Sequence, residues 1–202
     1  MELPEAPPTS RHGRVILALA VVSLVAACGP GTGPTASGSS LAPSPTGSSI
    51  GPIGGVGAAG PFRLALELPK ATWQTDQPIT GVATLSIIGL EGHVLSGSGG
   101  GLIVFDYREL GGRRHVEPVS TADCVPHAIG PADPIVEPLG KSGGFDGADP
   151  DATFYRAFLQ GPDVRLPPGA WRISAIATFI DDAGCDGQRY SFEVPVTVTV
   201  AP

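Results

Sequence analysis

The sequence predicts a single all-β antiparallel sandwich of about 140 residues, behind an export segment and a linker. Three observations predict it. Apolar residues recur with period two in segment after segment from residue 62 onward. No long apolar pattern with helical spacing occurs after residue 60. Clusters of Gly, Pro and Asp separate the alternating runs, as turns separate strands.

The elements follow in order. Residues 62–68 place Phe62, Leu64, Leu66 and Leu68 on one face, with Arg63, Ala65 and Glu67 opposite. Residues 79–88 read as a second strand with Ala83, Leu85 and Ile87 inward. Residues 102–107 are apolar on both faces, as a central strand is. Residues 154–159 read as a shorter strand. Residues 170–180 alternate Trp171, Ile173, Ala175, Ala177 and Phe179. Residues 190–200 alternate Tyr190, Phe192, Val194, Val196, Val198 and Val200 against polar partners. Pro195 lacks an N–H, so the last strand is expected to be an edge there or to carry a bulge. Residues 121–153 lose the period among Pro126, Pro131, Pro134, Pro138 and Pro150. They read as a long irregular insertion and as the expected seat of specificity.

Two pieces carry a resemblance. Leu166-Pro-Pro-Gly-Ala-Trp171 makes a tight turn and then leads an aromatic into a β-run. The opening, residues 62–85, runs strand, turn near Asp76-Gln77-Pro78, then a Gly-containing second strand. Both resemble bacterial immunoglobulin-like domains, and more weakly a bacterial family of proteinase-inhibitor domains. The resemblance implies an immunoglobulin-like β-sandwich over residues 61–202 and carries over no functional residue.

The N-terminus reads as an address. Arg11 and Arg14 precede the apolar-and-small run of residues 15–27. A spanning helix needs about 20 apolar residues, so the run suits the core of a secretory signal instead. It ends Val25-Ala26-Ala27-Cys28-Gly29, which resembles the bacterial lipobox. That resemblance implies a signal peptide over residues 1–27, cleavage before Cys28, and diacylglyceryl and fatty-acyl chains such as palmitate on Cys28. Two or three chains hold a protein stably on a bilayer, each buried CH₂ contributing about 0.8 kcal/mol. The polar stretch before the run is long, consistent with a translation start downstream of Met1. Residues 28–60, almost all Gly, Pro, Ser, Thr and Ala, are expected to form a disordered tether spanning roughly 30 Å.

The chain has three cysteines. With Cys28 as the lipid attachment point, Cys124 and Cys185 remain, and an exported location makes a disulfide the default. It would close a loop of roughly 60 residues and contribute about 4 kcal/mol in the chain-entropy view. No Cys-x-x-Cys spacing supports a redox-active pair.

Charge and motifs exclude several functions. The formal net charge of -7, without a basic cluster in the domain, argues against nucleic acid as a partner. Arg113-Arg114 reads as an exposed turn. No Gly-x-Ser-x-Gly, His-Glu-x-x-His or phosphate-binding glycine loop is present, and no cofactor is expected. Ser98, in Leu95-Ser-Gly-Ser-Gly-Gly-Gly101, reads as part of a flexible hairpin tip. His93, His115 and His127 lack zinc-ligand spacing and read as loop histidines. Asp146, Asp149 and Asp151 are weak calcium candidates, with Asp181, Asp182 and Asp186 in a second acidic loop. Trp171 reads as core. Trp73, near a strand end, is the candidate for an exposed sugar-stacking surface.

The expected function is therefore a non-enzymatic binding or structural domain, lipid-anchored on the extracytoplasmic face of the cell membrane. Its expected partners are the bilayer, through Cys28, and an envelope protein or glycan. An inhibitor or accessory subunit of an exported protease, contacting it through the proline-rich insertion, is the alternative. An envelope enzyme with an unrecognised site is the third.

Overall fold

The computed structural model describes residues 51–202. The signal segment, Cys28 and the tether up to residue 50 lie outside the described residues. In chain order the elements are β1 (Ile53–Ala59), β2 (Phe62–Leu68), β3 (Thr72–Gln74), β4 (Val82–Ile87), β5 (His93–Gly97), β6 (Ile103–Leu110), β7 (His115–Val116), β8 (Val125–Ile129), β9 (Ile135–Pro138), α1 (Ala152–Gln160), β10 (Gly169–Asp181) and β11 (Gln188–Ala201).

The strands form two packed sheets, the sandwich that the alternation predicts. One sheet has the order β1-β2-β4-β9. The other runs β3-β11-β10-β5-β8, with β6 on β10 and β7 on β6. Every pairing is antiparallel except β3 with β11, which is parallel over three residue pairs. Phe62, Leu64, Leu66 and Leu68 of β2 are buried, as are Ala83, Leu85 and Ile87 of β4. They face Trp171, Ile173, Ala175, Ala177 and Phe179 of β10 and the alternate valines of β11. Burying one such large side chain contributes about 1.5–3 kcal/mol, so the inward faces supply most of the driving force. Phe62 packs edge-on against Phe179, with ring centroids 4.8 Å apart. β11 pairs with β10 from Gln188 to Val200 but with β3 only at residues 199–201. At Pro195 one flank of β11 therefore carries no ladder, and the edge expectation holds there.

Three expectations are corrected. The tether does not extend to residue 60, because residues 53–59 form β1, which pairs with β2 residue for residue. The glycines that suggest a linker serve close packing instead. A Cβ on Gly55 would lie 2.8 Å from a Val194 methyl and 3.1 Å from the Pro195 carbonyl. A Cβ on Gly57 would lie 3.0 Å from the other Val194 methyl. Bare backbone at these positions lets β1 lie against β11 of the facing sheet. Gly60, with φ of 59°, makes the left-handed step in the turn to β2.

Residues 154–159 are not a strand but part of α1. Phe154, Tyr155, Phe158 and Leu159 repeat at one and four residues, which over two turns makes one helical face. So short a run cannot be told from a strand by periodicity alone. The turn before it decides: Asp149 Oδ1 accepts from Asp151 N at 2.7 Å, and Ala152 N donates to Asp149 O at 2.9 Å. The helix seats Phe158 against Tyr107, with centroids 5.1 Å apart, and Phe154 against Trp171 at 5.9 Å. Lys141 Nζ meets its C-terminal end, donating to Phe158 O at 2.7 Å, to Asp163 O at 2.9 Å and to Gly161 O.

The insertion at 121–153 is not wholly irregular. It contains β8 and β9, one at an end of each sheet. Their prolines, Pro126 and Pro138, mask the strand signal in sequence and are compatible with edge positions.

Three stability outcomes are expected. A domain fragment starting at residue 61, lacking β1, should melt well below one starting at residue 51. Gly55→Val in the longer fragment should cost about 1–3 kcal/mol by overpacking, measured by urea unfolding. Lys141→Met should destabilise by about 1–3 kcal/mol, because it keeps the stem but leaves carbonyls at the end of α1 without their donor; an unchanged midpoint would refute that role.

Candidate functional site

The site arises from a break in the larger sheet. β5 and β6 lie on the same flank of β10 and run in the same direction, so the glycines between them are no hairpin tip. Ser96 is opposite Ile180 and Ile103 is opposite Ala177. The chain uses seven steps from 96 to 103 where β10 uses three from 177 to 180, so four residues loop out. Gly97 and Gly101 make this possible: a Cβ on Gly97 would lie 2.6 Å from Leu102, and Gly101 has φ of 115°.

The opposite strand is broken as well. β7 pairs with β6 and β8 pairs with β5, but residues 117–124 between them pair with neither. Continuing the register in which Tyr107 meets Val116 would put Phe105 opposite Pro118, which has no N–H to give. The ladder cannot close there, and residues 117–124 cross the gap as a largely exposed strap.

Hydrogen bonds fix the strap to the glycine loop. Ser98 Oγ lies 2.8 Å from Thr121 Oγ1 and accepts from Gly100 N at 3.2 Å and Thr121 N at 3.3 Å. Asp123 accepts from Gly99 N at 3.1 Å and from the Thr121 hydroxyl. His127 Nε2 donates to Ser98 O at 3.2 Å. The proton order follows: Thr121 donates to Asp123, so the Ser98 hydroxyl donates to Thr121. The Thr121 hydroxyl, then the Gly99 amide, hold the Asp123 carboxyl below its usual range. At the end of the strap the Cys124–Cys185 disulfide, with Cα atoms 6.4 Å apart, ties it to the β10–β11 turn. Cys185 sits at φ 64°, the one non-glycine residue with positive φ among those described.

A two-lobed cleft flanks the strap. The larger lobe, about 490 Å³, is lined by Ser96, Leu102, Asp123, Thr178, Arg189 and the disulfide. Ser96 is fully buried there, and its Oγ has no hydrogen-bond partner. The smaller lobe, about 260 Å³, lies between the β6 edge at Ile103 and Phe105 and the β9 residues Glu137 and Pro138, with Val119 on the strap. Ser98 and Thr121 line both lobes. The polar groups suit binding. The Ser98 hydroxyl has no histidine ring among its partners, so no nucleophile–base pair is formed here.

The residues singled out in sequence are scattered. Cys124 and Cys185 come together as expected. Trp73 is buried rather than exposed, with Lys70 Nζ 4.4 Å from its ring, so it offers no stacking surface. Trp171 is core, its Nε1 donating to Pro167 O at 3.0 Å. Asp151 turns to Arg113 at 3.1 Å and Arg114 at 3.3 Å. Arg113-Arg114 lies in the β6–β7 turn with Arg113 exposed, as expected, and also tethers the start of α1. Asp149 bonds its own loop and Asp146 accepts from Ala148 N at 2.9 Å. Asp181 pairs with His93 at 2.7 Å, Asp182 accepts from Gly184 N at 2.6 Å, and Asp186 is exposed. His115 donates to Asp106. Among the described residues, no group of three His, Cys, Asp or Glu side chains is placed to hold a metal ion.

Sequence reasoning missed Asp123, Glu137 and the open edge of β6. Pro118, two residues past a strand end, is the only signal of that edge.

Compared with protein-family models, curated proteins and solved structures, the chain matches none.

Acid should loosen the strap. The folded pKa of Asp123 lies below the unfolded 3.8. Its contribution is complete above that value and is lost as pH falls through the folded pKa. The Gly99 amide should lose hydrogen-exchange protection in that window, and Asp123→Asn should remove the pH dependence.

Proposed function

We propose that this chain is a bacterial lipoprotein, anchored by acyl chains on Cys28 to the extracytoplasmic face of the cell membrane. Its immunoglobulin-like domain serves as a non-enzymatic module that binds an envelope protein or glycan through the cleft beside the strap. The observation that carries the anchoring is the partition of the three cysteines. Cys124 and Cys185 satisfy each other, which leaves the lipobox cysteine without a partner in the domain. A disulfide also suits a domain kept in oxidising surroundings. The cleft supports binding because its walls carry hydroxyls, carboxylates and Arg189 around a rigidly held strap.

One observation favours a second reading, an inhibitor or accessory subunit of an exported protease. The strap is exposed yet fixed by hydrogen bonds and a disulfide, as a loop must be to enter a protease cleft without being cut.

Mass spectrometry of the membrane-extracted protein should find residue 28 as the N-terminus, carrying diacylglyceryl. Cys28→Ala should leave the membrane fraction. An intact Met1 or a free thiol at residue 28 would refute the anchoring.

A further inference from the structure

We propose that the smaller lobe of the cleft takes an extended peptide segment of another protein, which adds as a strand to the unpaired edge of β6 at Ile103 and Phe105. This rests on the binding role given above and names the class of its ligand.

The argument starts from the direction of main-chain groups. Leu102 O accepts from Thr178 N of β10 at 3.2 Å, while Glu109 N donates to Arg114 O across the β6–β7 turn at 2.9 Å. Successive residues of an antiparallel strand aim their N–H and C=O at opposite flanks. Even-numbered residues of β6 therefore face β10 and odd-numbered ones face away from it. Tyr107 meets β7 on that outer flank. Ile103 and Phe105 meet the gap. Among the described residues, no strand, turn or side chain bonds their N–H or C=O groups on that flank.

Two donors and two acceptors thus stand in a row at the wall of the lobe, about 7 Å apart from one residue to the next. A buried main-chain group without a partner is rare, and a row of them beside an open space points to an occupant that repeats in the same way. Another extended backbone has that repeat. The edge is also preorganised. Ile103 and Phe105 are each 5% exposed and line the lobe, so their side chains anchor the backbone in the core at its wall.

The charge of the lobe narrows the partner. Glu137 lines it and forms no ion pair among the described residues. Lys141 also lines it, but its ammonium is engaged by the three carbonyls near α1. The lobe therefore favours a peptide with Lys or Arg close to its two paired residues. The strap cannot fill the gap itself, since Pro118 falls opposite Phe105.

The test uses the full mature chain. Short linear peptides are selected from a displayed library against it, and amide exchange is followed at each position of β6. In the free protein Ile103 and Phe105 should exchange much faster than Val104 and Asp106. Selected peptides should slow the first two by about tenfold or more and leave the others unchanged. N-methylation of alternate peptide amides should weaken binding by about tenfold, whereas methylation of the intervening ones should have little effect. Recovery of no peptide, or protection confined to other strands, would overturn the proposal. So would protection of Ile103 and Phe105 that appears with rising protein concentration alone, which would assign the edge to a second copy of the chain. None of these outcomes touches the anchoring, which the mass of residue 28 reads separately. A glycan that protects residues around Asp123 and Arg189 would keep the binding role while removing the peptide.

Discussion

The antiparallel hairpin of β10 and β11 is the constraint on which the other strands depend. Its thirteen registered pairs run from Gly169 with Val200 to Asp181 with Gln188. Because side chains alternate strictly along a strand, a slip of one residue would turn Trp171, Ile173, Ala175, Ala177 and Phe179 to the outside. The hydrophobic cost of that slip fixes the register, and the register fixes everything that pairs with β10. Both β5 and β6 must share its remaining flank. Two chain segments on one flank require an adjustment between them, and the four looped-out residues with their glycines are that adjustment.

The cleft follows from the same constraint. Once β6 is held by β10, its outer flank depends on residues 115–129. They pair at both ends, as β7 and β8, and fail in the middle. Proline removes a donor at one point, and the loop from Ser98 to Gly101 pushes the strands apart at another. Side chains then hold what the backbone ladder does not. Ser98, Thr121 and Asp123 form a small network in which each polar atom has a defined donor or acceptor role. The disulfide fixes the far end. An open edge normally invites uncontrolled pairing. Here it is recessed between a strap and β9, so access is restricted to something narrow.

Much of the sandwich is legible in the alternation of residues 62–68, 82–87, 103–110, 169–181 and 188–201. Each has one face buried and one face wet, or both faces covered, and either case leaves a mark on composition. β1 leaves a misleading mark. Its inward positions at Gly55 and Gly57 must be bare to admit Val194 and Pro195, so the strand has the composition of a linker. α1 fails for a different reason. Its apolar residues fit two periods equally well, and the choice lies in the Asp149 turn and in contacts with Tyr107 and Trp171. Trp73 reads as exposed because it stands near a strand end, but its parallel pairing with β11, and with it its burial, depends on a chain segment far away in sequence.

By itself the sequence determined the class of fold, the inward face of the main strands, the pairing of Cys124 with Cys185 and the expectation of an anchored cysteine. These depend on local period, on count or on a contiguous motif, which is information carried within a few neighbouring residues or by simple elimination. Only the tertiary structure decided where the first strand begins, that two strands share one flank of β10, and that Ile103 and Phe105 keep an open edge beside a fixed strap. Those outcomes depend on which distant backbones lie side by side. A missing Cβ or a missing N–H acquires its meaning only from the group placed opposite it.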